Sequence, residues 1–144
     1  MKKLILIILI SLFCSGVLYS QELPVCEPEH LPVWFSENFT PTWTIPDEHR
    51  SLGEVLNTMK GDCEDYAILT SAILDYNNVE NKLLVLKFEG MDMMHAICVY
   101  KTKLNRYNFF SNGKLYDVNC KSIEILVHKF YPDCIGILNL QDIR

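Results

Sequence analysis

This 144-residue chain contains a cysteine, a histidine and an aspartate, in that order, that could form a catalytic triad with the cysteine thiol as nucleophile. They are Cys63, in the stretch GDCED, then His95 and Asp117. A cysteine that attacks a carbonyl carbon needs a base for its proton and a third group that holds the imidazole in the correct tautomer. Cys63, His95 and Asp117 are therefore candidates for the nucleophile, for the base that later acts as an acid, and for the residue that orients His95.

The other three histidines are weaker candidates for the base. His30 and His49 lie in polar or proline-rich connections before Cys63, and His128 lies opposite the apolar stripe of its predicted helix. We expect all three at the surface. The alternatives for the chosen pair are a half-buried structural histidine at His95 and a strand-end carboxylate facing water at Asp117.

The residues around Cys63 predict a sharp turn followed by an amphipathic helix. Asp62 can cap this helix through its side-chain oxygen, with Asp65 three residues on. The unpaired amides and partial positive charge of a helix N-terminus favour the thiolate form of a cysteine. A small buried cysteine that begins a helix is the alternative. The residues at helical spacing on one side are Tyr66, Ala67, Thr70, Ile73 and Leu74.

A second helix is predicted over residues 51–60, directly before this turn. Ser51 and Glu54 form a capping-box pattern, and Gly61 ends the helix. We expect Gly61 to adopt a left-handed backbone conformation, which most other residues avoid. This helix would direct the chain into the turn that carries Cys63.

The remaining patterns predict the strands that carry His95 and Asp117. Apolar runs at 82–88 and 94–101 indicate buried strands, and Asn112-Gly113 indicates a hairpin between 106–111 and 114–118. A helix over 122–130 and a closing strand over 135–140 follow. The sequence therefore predicts an α+β fold, with the Cys63 helix packed on an antiparallel β-sheet.

The segment before residue 51 is rich in proline and aromatic residues. Five of the six prolines lie between Pro24 and Pro46, among Trp34, Phe35 and Trp43. We expect residues 21–50 to run extended, because proline interrupts regular helix, and to dock their aromatic rings on a catalytic domain at 51–144. An aromatic platform for substrate is the alternative role.

Residues 1–20 have the order of a secretory signal peptide: a basic start, an apolar run over residues 4–10 and small residues near the end. We expect cleavage after Gly16 or Ser20, export to the periplasm or the cell exterior, and no stable membrane insertion afterwards. A membrane anchor is the alternative, although the apolar run is shorter than a span requires. Lipidation of Cys14 is disfavoured by the bulky Phe13 before it.

Charge and cysteine content narrow the partners and the redox chemistry. The net charge is −5 without a basic run, so a nucleic acid is not an expected partner, whereas a protein or peptide substrate is. Signal cleavage would leave five cysteines, and an odd number suggests one thiol outside any disulfide, for which Cys63 is the candidate. Cys120 and Cys134 bracket the last predicted helix and can pair.

The stretch GDCEDYA at 61–67 and its apolar continuation resemble the nucleophile motif of the transglutaminase-like superfamily, in particular the bacterial transglutaminase-like cysteine proteinases. The strand that begins at His95 resembles the family's histidine strand, although Ile97 stands where relatives often have tryptophan. Asp117 resembles the family's aspartate on a neighbouring strand. The resemblance covers residues 51–119, and it implies a papain-like core and a Cys63-His95-Asp117 triad that hydrolyses peptide or amide bonds.

The resemblance also implies a metal beside the nucleophile. Asp62, Glu64 and Asp65 place negative charge around Cys63, which disfavours a thiolate. On the residues alone, these acids cap the helix and complement its dipole. The resemblance implies instead that Asp62 and Glu64 bind calcium, completed by carbonyls or other acids. No zinc site is expected at Cys63 and His95, because no further sulfur or nitrogen ligands have the usual spacing.

Two other functions remain open for the same fold. One is a transamidase or deamidase that acts on protein glutamine, in which an amine or water resolves the same acyl-enzyme. The other is a non-enzymatic binding or adaptor module at the cell surface or in the periplasm. Fold alone does not separate these functions from a cysteine peptidase.

Overall fold

The structure is a computed structural model that describes residues 22–43 and 49–140. The predicted signal peptide lies outside these residues, so its cleavage stays a prediction. Across the residues that are described, no helix is both long enough and apolar enough to cross a membrane.

The segment predicted to be extended contains a helix. A 3-10 turn at Pro28–His30 leads into α1, Leu31–Asn38, and then into a two-residue strand, β1, Thr40–Pro41. The expectation of an extended course was wrong here because the prolines occupy the first turns of these helices, where the helix needs no backbone amide. Phe35 packs against Tyr66 as expected for a docked ring, whereas Trp43 is 87% exposed.

Two helices flank the turn at Cys63. Helix α2, Leu52–Thr58, begins with the predicted capping box of Ser51 and Glu54, and strand β2, Lys60–Gly61, pairs in parallel with β1. Helix α3, Cys63–Tyr76, then begins with a capping box between Asp62 and Asp65. Both predicted helix starts are confirmed.

The left-handed residue at the end of α2 is Met59, with φ 48°, and Gly61 does not adopt a left-handed conformation. The prediction for Gly61 was wrong in its reason. A Cβ at this position would overlap the side chain of Asp65 and the guanidinium of Arg50. Glycine is needed here because other side chains approach its backbone closely, and not because of its own φ.

The chain after α3 forms a five-stranded antiparallel sheet. Its strands are β3, Asn81–Phe88; β4, Met94–Lys101; β5, Tyr107–Ser111; β6, Lys114–Cys120; and β7, Cys134–Asn139. The spatial order is β6-β5-β4-β3-β7. The predicted hairpin is confirmed, since Asn112 and Gly113 both have positive φ at the turn between β5 and β6.

A helix covers each face of this sheet. Helix α3 packs on one face with the apolar cluster that includes Ala96, Cys98 and Phe110, and we call this the α3 face. Helix α4, Ile123–Phe130, packs on the other face with the cluster that includes Leu86 and Ile97, and we call this the α4 face. The predicted α+β architecture, with the Cys63 helix on an antiparallel sheet, is confirmed.

The cysteines within the described residues are not joined by disulfides. The bridge considered between Cys120 and Cys134 is absent because these residues lie on β6 and β7, the two opposite edges of the sheet. Four strand spacings separate the edges, which is about 19 Å, whereas a disulfide needs Cα atoms within about 7 Å. Cys98 is fully buried, and burial raises the pKa of its thiol.

Candidate active site

Cys63 is the first residue of α3, and a network of hydrogen bonds sets its position. Asp62 Oδ1 accepts hydrogen bonds from the backbone amides of Glu64 and Asp65 at 3.0 and 3.4 Å. Asp65 Oδ2 accepts one from the amide of Asp62 at 3.0 Å. The turn is therefore held from both sides, and Cys63 is partly exposed at the positive end of the helix dipole.

A buried ion pair lies under this turn. Arg50 Nη2 donates hydrogen bonds to Asp65 Oδ2 and, at 2.7 Å, to the carbonyl oxygen of Lys60. Asp65 is only 2% exposed, and its hydrogen bond and charge raise the pKa of Arg50. One of the three acids beside Cys63 is thus neutralised by a neighbouring cation, which reduces the repulsion that a thiolate would meet.

The carboxylates proposed as calcium ligands bind protein groups instead. Glu64 Oε2 lies 2.8 Å from Nδ1 of His49, and Asp62 Oδ1 is occupied by the two amides of the helix cap. Within residues 22–43 and 49–140, no group of three or more His, Cys, Asp or Glu side chains is placed to hold a metal ion. Because calcium takes about six to eight oxygen ligands, Asp62 and Glu64 as placed here do not fit a calcium site.

Cys63 lines a cleft of about 350 Å³. One wall comes from α1 with Phe35, a second from the segment that contains Pro41 and Trp43, and a third from the turn at Asn112–Gly113. These walls are mostly apolar, which suits the side chain of a bound peptide.

The turn between β5 and β6 approaches α3 closely at this cleft. A Cβ added at Gly113 would lie 2.7 Å from Cε1 of Tyr66 and 3.2 Å from Cβ of Phe35. Gly113 also has φ 73°. Two independent requirements therefore favour glycine here, a left-handed backbone and the ring of Tyr66. Burial raises the pKa of the Tyr66 hydroxyl, so it stays protonated at neutral pH.

His95 lies at the same end of the sheet as Cys63, but on the opposite face. In the antiparallel register it pairs with Leu86, which belongs to the α4-face cluster, and paired residues point to the same face. Nε2 of His95 lies 2.8 Å from Oγ of Ser111, and its ring centroid lies 5.9 Å from that of Tyr131. Burial lowers the pKa of His95, which favours the neutral imidazole.

Asp117 is on β6 and lies level with the end of β4 that is far from His95. Its Oδ1 accepts hydrogen bonds from Nδ2 of Asn108 at 2.9 Å and from Nδ2 of Asn119 at 3.0 Å. Asn108 pairs with Tyr100 and donates to its hydroxyl at 3.2 Å. His95, the second residue of β4, and Tyr100 are about 17 Å apart along the strand, at about 3.4 Å per residue.

The three predicted catalytic side chains thus lie in different surroundings. Cys63 faces its cleft, His95 contacts Ser111 on the α4 face, and Asp117 belongs to a network with Asn108. The assignment of these residues as a triad stays a prediction.

The sequence analysis did not identify four side chains that hold these groups, namely Arg50, Ser111, Tyr131 and Asn108. A local signal existed only for Ser111. The Asn112-Gly113 turn defines the hairpin register, and this register puts Ser111 on the strand next to β4. Nothing in the pattern indicates that it meets His95.

Comparison with known proteins concerns the family and the fold. A sequence profile described as a transglutaminase-like domain matches residues 27–119, which is more than half of the chain. A search of curated proteins gave no match.

Two solved structures are similar to parts of this chain. One is a protein from Cytophaga hutchinsonii described provisionally as a cysteine protease, with 14% identity, a TM-score of 0.49, and coverage of 61% of this chain and 31% of that one. The other is calcium-bound LapG of Legionella pneumophila, with 17% identity, a TM-score of 0.51, and coverage of 78% of this chain and 67% of that one. This chain spans about a third of the first protein, and its likeness to LapG is one of fold. On the match over residues 27–119, the chain belongs to the transglutaminase-like domain family.

Proposed function

We propose that this protein is a cysteine-dependent acyl-transfer enzyme that hydrolyses peptide or amide bonds, with Cys63 as its nucleophile. The observation that carries the proposal is the position of Cys63, at the first residue of α3 and in the wall of an apolar cleft. A helix N-terminus favours the thiolate, and the cleft suits a peptide. Membership of the transglutaminase-like family supports the same chemistry.

In this proposal, the Cys63 sulfur attacks the carbonyl carbon of the substrate and a new carbon–sulfur bond forms. The backbone amide of Cys63 stabilises the negative oxygen. His95 accepts the thiol proton and gives it to the leaving amine, while Asp117 orients His95. Water then hydrolyses the thioester and regenerates the thiol. These roles require His95 to reach the α3 face. Orientation of His95 by Asp117 would also require a rearrangement of β6, because Asp117 lies beside Asn108, level with Tyr100 and about 17 Å along the sheet from His95.

Substitution with a matched control tests the nucleophile. We expect Cys63→Ser to lower kcat/KM on a panel of peptide amides by at least about 1000-fold, and His95→Ala by about 100- to 10,000-fold. Cys134→Ser, which changes a partly buried thiol on the edge strand β7, should leave turnover unchanged. Turnover that survives in Cys63→Ser would exclude Cys63 as the nucleophile.

The same assay separates hydrolysis from transamidation. The acyl-enzyme forms in both reactions, so a fluorescent primary amine added to the assay would be incorporated into product by a transamidase and ignored by a hydrolase. We expect the free acid as the main product. Amine incorporation that depends on Cys63 and exceeds hydrolysis would identify a transamidase instead.

A second candidate function is a non-enzymatic binding module. It is favoured by the contacts of His95 with Ser111 and of Asp117 with Asn108, which occupy both partners of the proposed triad. A module of this kind would bind peptides in the cleft without thiol-dependent turnover. Peptide binding that is lost in Trp43→Ala, with no product from any substrate in the panel, would support this candidate over the enzyme.

Calcium, with Asp62 and Glu64 as its ligands, is implied by the family resemblance but is not part of this proposal. The capping and His49 contacts of these carboxylates oppose calcium binding, and no catalytic step described above uses the ion. We therefore expect turnover and melting temperature to be the same in EGTA and in calcium. A melting temperature that rises with calcium, and no longer rises in Glu64→Gln, would show that the ion binds here.

We propose that the protein is exported, because residues 1–20 have the pattern of a signal peptide. It would act in the periplasm or outside the cell, on a protein or peptide substrate. N-terminal sequencing of the mature protein should give a chain that begins at residue 17 or 21. A protein that remains in the cytoplasm and begins at Met1 would contradict this part of the proposal.

A further inference from the structure

His95 is held on the α4 face by groups from two other elements. Oγ of Ser111, on the neighbouring strand β5, lies 2.8 Å from Nε2 of the imidazole. The ring of Tyr131, which follows α4, lies 5.9 Å from the ring of His95. Burial raises the pKa of the Tyr131 hydroxyl, and the neighbouring Ser111 opposes this rise. Ser111 is 8% exposed, so this contact lies inside the domain.

The ring of Tyr131 is fixed by further packing. Its centroid lies 5.9 Å from that of Phe109 and 6.2 Å from that of Phe88. The hydroxyl of Tyr131 is therefore held near Ser111 by rings on two strands, and Ser111 is held near His95. Ser111 and Tyr131 together fix the position of the His95 imidazole.

The chain just before His95 is much less constrained. Residues 89–93 form the loop between β3 and β4, and Met91, Met93 and Met94 are 62%, 73% and 49% exposed. The β3–β4 register ends at the pair of Lys87 with Met94, so His95 is in the second pair from the end of the ladder. Few contacts oppose a local change at this point.

A small change there would move His95 to the other face. Side chains alternate along a strand, so one extra residue in β4 before Ala96, a β-bulge, turns His95 to the α3 face and leaves Ala96, Cys98 and Tyr100 in place. The turn at Asn112–Gly113, which lines the Cys63 cleft, follows β5 and lies level with the start of β4. A His95 side chain on the α3 face would therefore point towards the end of the sheet that carries Cys63.

We propose that Ser111 and Tyr131 are positioning residues that hold His95 in a resting state on the α4 face, and that loss of the Ser111–His95 hydrogen bond lets the start of β4 present His95 to Cys63. This inference rests on the proposed function of Cys63. It explains how a complete set of Cys63 and His95 occurs in a chain whose resting structure keeps the two on opposite faces.

The test compares two buried serines. Ser111→Ala removes the hydroxyl that hydrogen-bonds to His95. Ser71→Ala removes a similarly buried hydroxyl that donates to Asn81 at 2.6 Å, away from His95. The readouts are the rate of Cys63 alkylation by iodoacetamide at pH 7 and the turnover of a peptide amide. We expect both rates to rise about tenfold in Ser111→Ala, which equals about 1.4 kcal/mol in the resting equilibrium. In Ser71→Ala they should change by less than about twofold.

Two further variants separate positioning from a general loss of structure. Ser111→Thr keeps the hydroxyl and should restore the wild-type rates. Ser111→Ala combined with His95→Ala should lose the increase, because the faster reaction depends on the imidazole. Tyr131→Phe removes only a hydroxyl and should give a smaller increase, so it tests the inference even where Ser111→Ala fails to fold.

The outcomes that overturn the inference differ from those that overturn the proposed function. Rates in Ser111→Ala that equal those in Ser71→Ala, or an increase that persists without His95, would overturn the resting state. If His95→Ala alone abolishes turnover in that case, the enzyme proposal still holds. Turnover that persists in Cys63→Ser would overturn the enzyme proposal, whatever the serine variants show.

Discussion

Replacing Arg50 with alanine removes the cation that neutralises Asp65 under the Cys63 turn. The side chains of Asp65 and Arg50 are only 3% and 18% exposed, so water cannot replace the lost partner effectively. Asp65 also accepts the amide of Asp62, and its carboxylate cannot turn outward without breaking the helix cap. Removal of one partner of a buried ion pair costs about 3–5 kcal/mol.

An exposed ion pair in the same protein is the control for the expected loss of stability in Arg50→Ala. Nζ of Lys101 lies 3.7 Å from Oε2 of Glu80, and the two side chains are 29% and 65% exposed. Lys101→Ala should cost at most about 1 kcal/mol, since solvent screens this pair. Arg50→Ala combined with Asp65→Ala should cost less than the two single changes added together, because the double variant leaves no buried lone charge.

The assay is urea unfolding at pH 7, followed by far-UV circular dichroism, on wild type and these four variants. At roughly 4 °C per kcal/mol for a domain of this size, Arg50→Ala should also melt roughly 12–20 °C below wild type. If Arg50→Ala and Lys101→Ala cost the same, the Arg50–Asp65 contact does not stabilise the turn, and the reasoning fails.

Three further outcomes are expected. Gly113→Ala should lower the free energy of unfolding by about 1–3 kcal/mol more than Gly90→Ala, although the two glycines have similar φ values of 73° and 69°. The reason is that only at Gly113 would the new Cβ meet the ring of Tyr66. Equal melting temperatures of the two variants would contradict this prediction. Asn108→Ala should lose about 1–3 kcal/mol in urea unfolding, because two backbone amides of β6 lose their acceptor; a loss under about 0.5 kcal/mol would argue against it. Burial lowers the pKa of His95, so the folded state binds a proton less readily than the unfolded state. The stability of wild type relative to His95→Gln should therefore decrease as the pH falls below about 6.5. Curves of melting temperature against pH that stay parallel for the two proteins would refute this prediction.

The local structure around Cys63 was predictable because it depends on residues close in sequence. Asp62 caps a helix whose amides lie within three positions, and Asn112-Gly113 forms a hairpin turn by its own conformational preference. These signals need no knowledge of the rest of the fold. The helix at Leu31–Asn38 was missed because proline was weighed as a helix breaker and not as a first-turn residue.

The directions of His95 and Asp117 depend on contacts across the sheet. Strand β4 is apolar on both faces, since Ala96 and Ile97 are both buried, so alternation alone does not show which face α3 covers. Asp117 is directed by Asn108, on another strand. The ion pair of Arg50 and Asp65 likewise joins residues that no periodic pattern connects.

The parallel pairing of β1 with β2 has a practical consequence for the extent of this domain. The amide of Thr42 donates to the carbonyl oxygen of Gly61 at 2.8 Å, and Phe35 and Pro41 line the cleft of Cys63. A recombinant fragment trimmed to start at residue 51 would keep the sheet and α3, but it would lose a side of the cleft and the lateral support of the turn. The smallest fragment worth purifying or fusing to a tag should therefore begin upstream of Pro28.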